Sequence, residues 1–212
     1  MQVSSREARS GRAQFFTVVQ DTPWYRDWLM AGVSAVADLP PGAKVLDVGT
    51  GPGKLLTLLR QKLSLDCVGV DADPAMLNEA RRRRELDDVP LLHVPPGHSL
   101  PFPPGSFDAI YFCSVLYLMT ADAAQALLAQ ASSLLRPHGR IIILTPTGAE
   151  RPHPSPGWRH WTFHLWRHAT AEAGRQWHSQ RLAPQFAATQ TMAYTCRPVL
   201  WGLASVEALA TI

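Results

Sequence analysis

The sequence predicts an α/β fold in which a mostly parallel sheet is covered by helices on both faces. Three observations carry this expectation. Between residues 43 and 145, short runs that are apolar on both faces alternate with helical patterns. Glycine, proline and capping aspartate residues punctuate the alternation. The chain of 212 residues is 46% hydrophobic and 17% charged, enough to bury one sizeable core and incompatible with wholesale disorder.

The elements follow in order. Residues 1–12 are polar and are expected to be frayed. Thr22-Pro23 reads as an N-cap and first-turn proline, and Trp24, Trp28, Ala31 and Ala35 fall on one helical face. Leu39-Pro40-Pro41-Gly42 ends that helix. Strands are expected at Ala43–Val48, Asp66–Val70, Leu91–Val94, Phe107–Cys113 and Arg140–Leu144. Helices are expected at Lys54–Leu63, from Asp73-Pro74 to Arg84, and at Ala121–Leu135. A proline-rich stretch, Gly148–Trp158, is the linker into a Trp/His-rich helix, and strand-like runs follow over residues 188–196 and 200–210. The right-handed crossover rule leaves few ways to connect the parallel strands.

Charge and composition divide the chain unevenly. Net charge is +3, too little to argue for nucleic acid. Residues 1–148 are balanced, with 14 basic and 14 acidic side chains; residues 149–212 carry 6 and 3. That last stretch also holds five of the seven Trp and five of the eight His. Cys67, Cys113 and Cys196 sit in apolar runs without CxxC spacing, which suits buried thiols. No apolar run is long enough for a transmembrane helix, and a cytoplasmic location is expected.

The strongest motif is Val45-Leu46-Asp47-Val48-Gly49-Thr50-Gly51-Pro52-Gly53, which closes a strand and opens a helix. Alternate glycines let the backbone turn tightly and approach a ligand, and the helix start offers free N–H groups. Asp71 ends the next strand 18 residues after Gly53, where a carboxylate can accept both hydroxyls of a ribose. Together they point to a nucleoside-containing ligand. A nicotinamide fingerprint would read GxGxxG around a pyrophosphate. Here the spacing is Gly49-x-Gly51-x-Gly53, and Asp47, two residues before Gly49, would repel a pyrophosphate but suits a cation such as a sulfonium carrying an amino group.

With these blocks the chain resembles the class I S-adenosylmethionine-dependent methyltransferases, in the broad small-molecule family that includes the ubiquinone/menaquinone-type enzymes. The matching blocks are Val45–Gly53, Val70-Asp71-Ala72-Asp73-Pro74-x-Met76-Leu77, Leu100-Pro101-Phe102-x-x-Gly105-Ser106-Phe107-Asp108, Ser114-Val115-Leu116-Tyr117 and Leu134-Leu135-Arg136-Pro137-x-Gly139-Arg140. They stand in family order across residues 43–145. The resemblance implies a three-layer, doubly wound, seven-stranded sheet with an antiparallel C-terminal hairpin, and S-adenosyl-L-methionine as cofactor with S-adenosyl-L-homocysteine as product. It implies that Asp47, Gly49 and Gly51 lie along the methionine part, Asp71 holds the ribose, Ala72 packs beside the adenine, and Cys113 and Ser114 flank the methionine end and face the substrate. The family's acidic adenine ligand falls on Pro96 here, so Gly97 or His98 would substitute.

The whole chain then reads as one domain: a helical cap over residues 1–38, a cofactor core over 43–145, a candidate substrate lid over 149–186 and closing strands over 187–212. The acceptor is expected to be a small molecule, lipophilic or aromatic. Nucleic acid is not expected, because Cys113-Ser114-Val115-Leu116 replaces the Asn/Asp-Pro-Pro-aromatic tetrad of base-amine methyltransferases. No carboxylate cluster suggests a metal. Asp73 is best read as an N-cap, Asp108 as a turn residue and Arg81–Arg84 as a solvated helix face. In the last third, Trp158, Trp161, Leu165, Ala169, Ala173 and Trp177 form a helical stripe flanked by His160, His164 and His168. That helix could pack on the sheet, close over the substrate with His164 or His168 as base or polar anchor, or hold a metal through its i, i+4 histidines. Phe15, Phe16, Trp24 and Tyr25 are a second candidate wall. Two other functions stay open: a binding module without catalysis, and a nicotinamide-dependent oxidoreductase.

Overall fold

The structure, a computed structural model, describes residues 5–149 and 161–211. Seven strands form one sheet: β1 (Lys44–Val48), β2 (Asp66–Asp71), β3 (Leu91–His93), β4 (Phe107–Cys113), β5 (Leu135–Pro146), β6 (Met192–Val199) and β7 (Ala204–Thr211). Their order is β3-β2-β1-β4-β5-β7-β6. Strands β1 to β5 pair in parallel, and β7 runs antiparallel to both β5 and β6. The chain winds outward from β1 to β3, then returns to β4 on the other side of β1. The carboxyl ends of β1 and β4 therefore border a crevice, the place where open α/β sheets bind ligands. The α/β class, the seven strands and the antiparallel C-terminal hairpin are all present.

Helices α1 (Ser5–Gln20), α2 (Pro23–Val33), α3 (Lys54–Leu63), α4 (Pro74–Ala80), α5 (Ala121–Leu134), α6 (Trp161–Gln180) and α7 (Leu182–Thr189) complete the layers. Local chemistry starts several of them. The Asp73 carboxylate accepts from the Ala75 N–H, with Pro74 in the first turn. The Thr120 hydroxyl accepts from the Ala123 N–H at the start of α5. On one face of the sheet Leu55, Leu56 and Leu59 of α3 join Trp24, Trp28 and Leu29 of α2. On the other, Ala124, Leu128 and Ala131 of α5 pack with Leu182 and Phe186 of α7. Burying both faces is what allows Ala109–Phe112 of β4 and Ile141–Leu144 of β5 to be runs of fully enclosed, largely apolar side chains.

Several boundaries differ from the sequence reading. Helix α1 begins at Ser5, so most of the stretch expected to be frayed is helical. Its polarity reflects a surface helix whose Arg12 pairs with Asp73 at 2.5 Å. Thr22 does not cap α2 with its side chain; its hydroxyl donates back to the Val19 carbonyl at 2.6 Å. Helix α4 stops at Ala80, where the Arg82 and Arg83 N–H groups bond three residues back and tighten the chain into a turn. Arg81–Arg84 therefore lies past the helix end: Arg81, Arg82 and Arg84 are exposed as expected, Arg82 pairing with Glu79, whereas Arg83 is drawn in, donating to the Pro52 carbonyl and pairing with Asp21. Asp108 ties strands rather than a turn, accepting from the Lys44 N–H and pairing with Arg136. Helix α7 was not foreseen; a left-handed Arg181 (φ 52°) separates it from α6.

Helix α6 is rotated relative to the expected stripe. Trp161 and Leu165 are 55% and 46% exposed, whereas Thr162, Phe163, Trp166, Gly174 and Trp177 are buried. Trp158 and His160 lie outside the described residues. The physical reason is an aromatic cluster: Trp24 packs on Phe163 and Trp166 with ring centroids 5.1 and 5.2 Å apart, and Trp28 lies 5.0 Å from Trp166. The Trp24 indole N–H also donates to the Thr162 hydroxyl at 3.1 Å. Phe163 and Trp166 thus belong to one core cluster and Trp177 to the other, so α6 crosses the end of β5. Gly174 makes that crossing possible, because a Cβ there would stand 2.4 Å from the Pro146 carbonyl oxygen. Alanine favours an exposed helix interior over glycine by about 1 kcal/mol, but here the clash dominates. Gly174→Ala is expected to lose about 1–3 kcal/mol, read as a lowered urea midpoint; an unchanged or raised midpoint would show that α6 is not seated so closely.

Candidate active site

The loop after β1 is bound to the end of β2. The Gly49 and Thr50 N–H groups both donate to the Val70 carbonyl, at 2.8 and 3.0 Å. Gly49 has φ 76°, and a Cβ there would lie 2.3 Å from Cγ2 of Val115. Only glycine satisfies both the left-handed backbone and the close approach of the segment after β4.

Asp71 stands at the carboxyl end of β2. One carboxylate oxygen accepts from the Gly51 N–H at 2.7 Å and the other from the Asp73 N–H at 2.8 Å. An ionised carboxylate has about four acceptor sites, so each oxygen can still receive one hydroxyl. Burial raises Asp71 above the ordinary carboxylate value, and the two backbone N–H groups oppose that rise. Asp47 is buried beneath the loop, where one oxygen accepts from the Thr50 hydroxyl at 2.8 Å and the other, Oδ1, has no partner. Burial, with Asp71 adding a smaller push, raises its carboxyl from 3.8 to about 7.

These groups border a cavity of about 510 Å³, within the range of small-molecule and cofactor sites. Gly49, Gly51, Asp71, Ala72, Gly97, His98, Cys113 and Ser114 all line it. Asp47 does not; it lies under the loop, so its influence on a ligand is electrostatic rather than a wall contact. The β2-side end of the cavity is an apolar slot of Ala72, Met76, Val94, Pro95 and Leu127. His98 turns its ring nitrogen toward the Pro96 carbonyl at 3.4 Å, near the exposed edge.

The histidines proposed for catalysis are placed elsewhere. His164 and His168 are exposed on the outer side of α6 and do not line the cavity. The buried aromatic face of α6 turns them outward, so this reading is corrected. Of the second candidate wall, Phe16 and Tyr25 line the cavity, whereas Phe15 and Trp24 do not. Arg12 and Gln20 of α1, and Leu118 and Met119 at the end of the 3-10 turn Leu116–Leu118, also line it, beyond the residues the sequence points to. Arg12, Phe16 and Gln20 follow i, i+4, i+8 spacing, a signal masked by the polar character of α1. Among the described residues no group of His, Cys, Asp and Glu could hold a metal ion.

Comparison with known proteins agrees with this geometry. A family model described as a methyltransferase domain matches residues 45–139. The matched stretch holds the glycine turn, Asp71 and the end of β4, so this side of the cavity is built from the part of the chain that resembles a methyltransferase domain. A tRNA U34 carboxymethyltransferase of Idiomarina loihiensis is 31% identical over 145 residues, covering 65% of this chain and 43% of that protein. A ubiquinone/menaquinone biosynthesis C-methyltransferase of Desulfotalea psychrophila is 31% identical over 132 residues, 62% of this chain and 50% of that protein. The chain thus spans half or less of these relatives. The crystal structure of a SAM-dependent methyltransferase from Aquifex aeolicus superposes with a TM-score of 0.65 at 17% identity, covering 96% of this chain and 98% of that one, and so shares the methyltransferase fold.

The chain buries Asp47 at a cost that depends on pH. Between pH 3.8 and about 7 the folded chain retains a proton that the unfolded chain has lost. Stability is therefore complete below pH 3.8 as far as this group is concerned, and falls as pH rises through about 7. The loss amounts to about 4 kcal/mol. Asp47→Asn is expected to remove this slope, so that variant and parent diverge most at pH 8 and least at pH 4. Urea unfolding at the two values checks it; parallel pH profiles would contradict the assignment.

Proposed function

We propose that this chain transfers the methyl group of S-adenosylmethionine to a small, lipophilic acceptor. The observation that carries the reading is the Asp71 carboxylate, held by two backbone N–H groups in the same cavity as the Gly49–Gly51 turn. It supports a ribose whose two hydroxyls fill the remaining acceptor sites. The apolar slot of Met76, Val94 and Leu127 suits a flat base, and the unpartnered oxygen of Asp47 favours a positively charged methionine portion above it. When bound, the cofactor supplies an electrophilic methyl on a sulfonium. The chain's residues orient the reactants and exclude water, which can supply a large part of the rate in an in-line displacement.

A small acceptor is favoured over tRNA by the state of the arginines. Arg12, Arg60, Arg82, Arg83, Arg136 and Arg140 are each paired with a carboxylate rather than offered to phosphates. The free rim of the cavity is apolar instead: Phe16, Leu118 and Met119 are 37%, 71% and 40% exposed.

The test has two stages. S-adenosylhomocysteine should raise the melting temperature and NADH should not; the reverse would favour the oxidoreductase. Tritiated S-adenosylmethionine should then label organic-extractable products from a panel of phenols and quinols. Label in bulk tRNA would overturn the small-molecule acceptor, and cofactor binding without transfer to any acceptor would favour a binding module.

A further inference from the structure

The order β2-β1-β4 divides the cavity. The glycine loop after β1 stands in the middle, with Asp71 on the β2 side and Cys113 and Ser114 on the β4 side. If Asp71 marks the ribose, the β4 side is where the methyl is presented, and its wall has an unusual composition. Tyr25, Val115, Leu118 and Met119 make it apolar, yet two hydroxyls are set into it.

Ser114 is one. It has φ 60°, a left-handed backbone conformation in a residue that is not glycine. The segment holds it there because its N–H still donates to the Leu144 carbonyl at 2.9 Å, continuing the β4–β5 pairing one residue past the strand. The result is a buried Oγ with no partner at good hydrogen-bond geometry, although the Tyr25 and Tyr117 hydroxyls stand close enough to interact with it. A non-glycine residue in this conformation and a buried hydroxyl without a well-aligned partner each cost free energy, and both recur where a ligand completes a site. Tyr25 is the other. Its ring is fixed between Trp24 and Trp28, each with its centroid 5.2 Å away. Its hydroxyl faces Cys113, Ser114 and Tyr117 closely enough for each to act on its ionisation. Burial raises the Tyr25 phenol well above its ordinary value, so it is a lasting donor at neutral pH, and burial likewise raises Cys113 and pushes Tyr117 up to about 12.

We infer that Tyr25 and Ser114 form an oxygen-binding clamp at the acceptor end of the cavity, and that the acceptor is an aromatic, otherwise apolar molecule carrying a phenolic hydroxyl. This rests on the methyl-transfer reading. The Tyr25 phenol donates to the acceptor's oxygen, and Ser114 Oγ receives its proton. The well-aligned partner that Ser114 lacks within the chain is thereby supplied, and the ring is seated against Leu118 and Met119. The clamp fixes which edge of the acceptor faces the methyl. It also discriminates, because a site built to bond a hydroxyl rejects analogues without one far more strongly than an apolar pocket can.

The test uses the full chain saturated with S-adenosylhomocysteine, titrated with 1-naphthol and with 1-methylnaphthalene, which matches it in size but lacks the oxygen. Naphthol is expected to bind at least about tenfold more tightly, the value of roughly one good hydrogen bond. Tyr25→Phe and Ser114→Gly should each abolish that preference while leaving methylnaphthalene unchanged. Glycine suits the left-handed backbone, so it removes the hydroxyl without adding strain. The far-UV circular dichroism spectrum and the urea midpoint of the same variants should match those of the parent and report folding. Equal binding of the two probes, no naphthol binding, or a preference that survives both substitutions would overturn the clamp. If S-adenosylhomocysteine itself does not bind the parent chain, the methyl-transfer reading fails first.

Discussion

Asp71→Ala is expected to weaken S-adenosylhomocysteine binding by at least about 100-fold, read by calorimetric titration. Two losses combine. The carboxylate's free acceptor positions, the ones assigned to the ribose hydroxyls, disappear, and hydrogen bonds to a charged acceptor contribute about 1.5–3 kcal/mol each. The Gly51 and Asp73 N–H groups also lose their acceptor, which frees the glycine loop from the end of β2 and starts α4 without its support. Asp71→Asn separates the two. Its amide oxygen can keep one of the backbone bonds, but its NH2 group opposes the other, so an intermediate loss is expected. Parent-like affinity in the alanine variant would mean that the cavity does not hold a ribose at this strand end. The pH behaviour of Asp47 supplies an independent check, because a cationic ligand above a carboxylate with a value of about 7 should bind more tightly at pH 8 than at pH 6.

Glu207→Ala is expected to destabilise the fold by about 3–5 kcal/mol without changing the cofactor affinity of the molecules that remain folded. Glu207 lies in the middle of β7, fully buried, and collects donors from three other elements. The Trp177 indole of α6 donates at 2.8 Å, the Tyr194 hydroxyl of β6 at 2.8 Å and the Thr145 hydroxyl of β5 at 3.3 Å. Removing the carboxylate leaves the buried Trp177 indole without its acceptor and takes one acceptor each from Thr145 and Tyr194. Burial, helped by the same carboxylate, raises Tyr194 far above its ordinary value, so the phenol stays a donor throughout the accessible pH range. Equilibrium unfolding in urea measures the loss, and a change below about 1 kcal/mol would show that the network relaxes onto water. Nothing in the sequence marks Glu207 except its isolation in the run Ala204–Ile212, where a lone charge in an apolar strand demands partners.

Legibility in the sequence tracks the range of the interactions. Helix α3 and strand β4 were read at their observed bounds, because apolar periodicity and flanking turns are local signals. The residues gathered at the cavity were legible for a related reason: Gly49, Gly51 and Asp71 each answer to the backbone geometry at a strand end, which their own neighbours dictate. Tyr25 and Phe16 were singled out only as aromatic wall candidates, and Leu118 and Met119 not at all. Their part in the site depends on α1 and α2 lying across the ends of β1 and β4, a contact made over nearly a hundred residues of chain.

Helix α6 shows the division most clearly. Its apolar residues offer two helical faces, Trp161-Leu165-Ala169 and Phe163-Trp166-Trp177, and spacing cannot rank them. The choice was made by α2, whose Trp24 and Trp28 provide an aromatic surface and whose indole N–H finds Thr162, and by Gly174, which lets one side of the helix reach Pro146. That choice turned His164 and His168 to solvent, away from the cavity lining. The alternation of strands and helices from β1 to β5, the glycine turn and the carboxylate at the end of β2 follow from local backbone geometry and short-range patterning within residues 43–146. Which helix face is buried, which side chains wall the acceptor end and which lone carboxylate is enclosed depend on the free energy of packing distant segments together, and that quantity is defined only once the sheet has closed around its core.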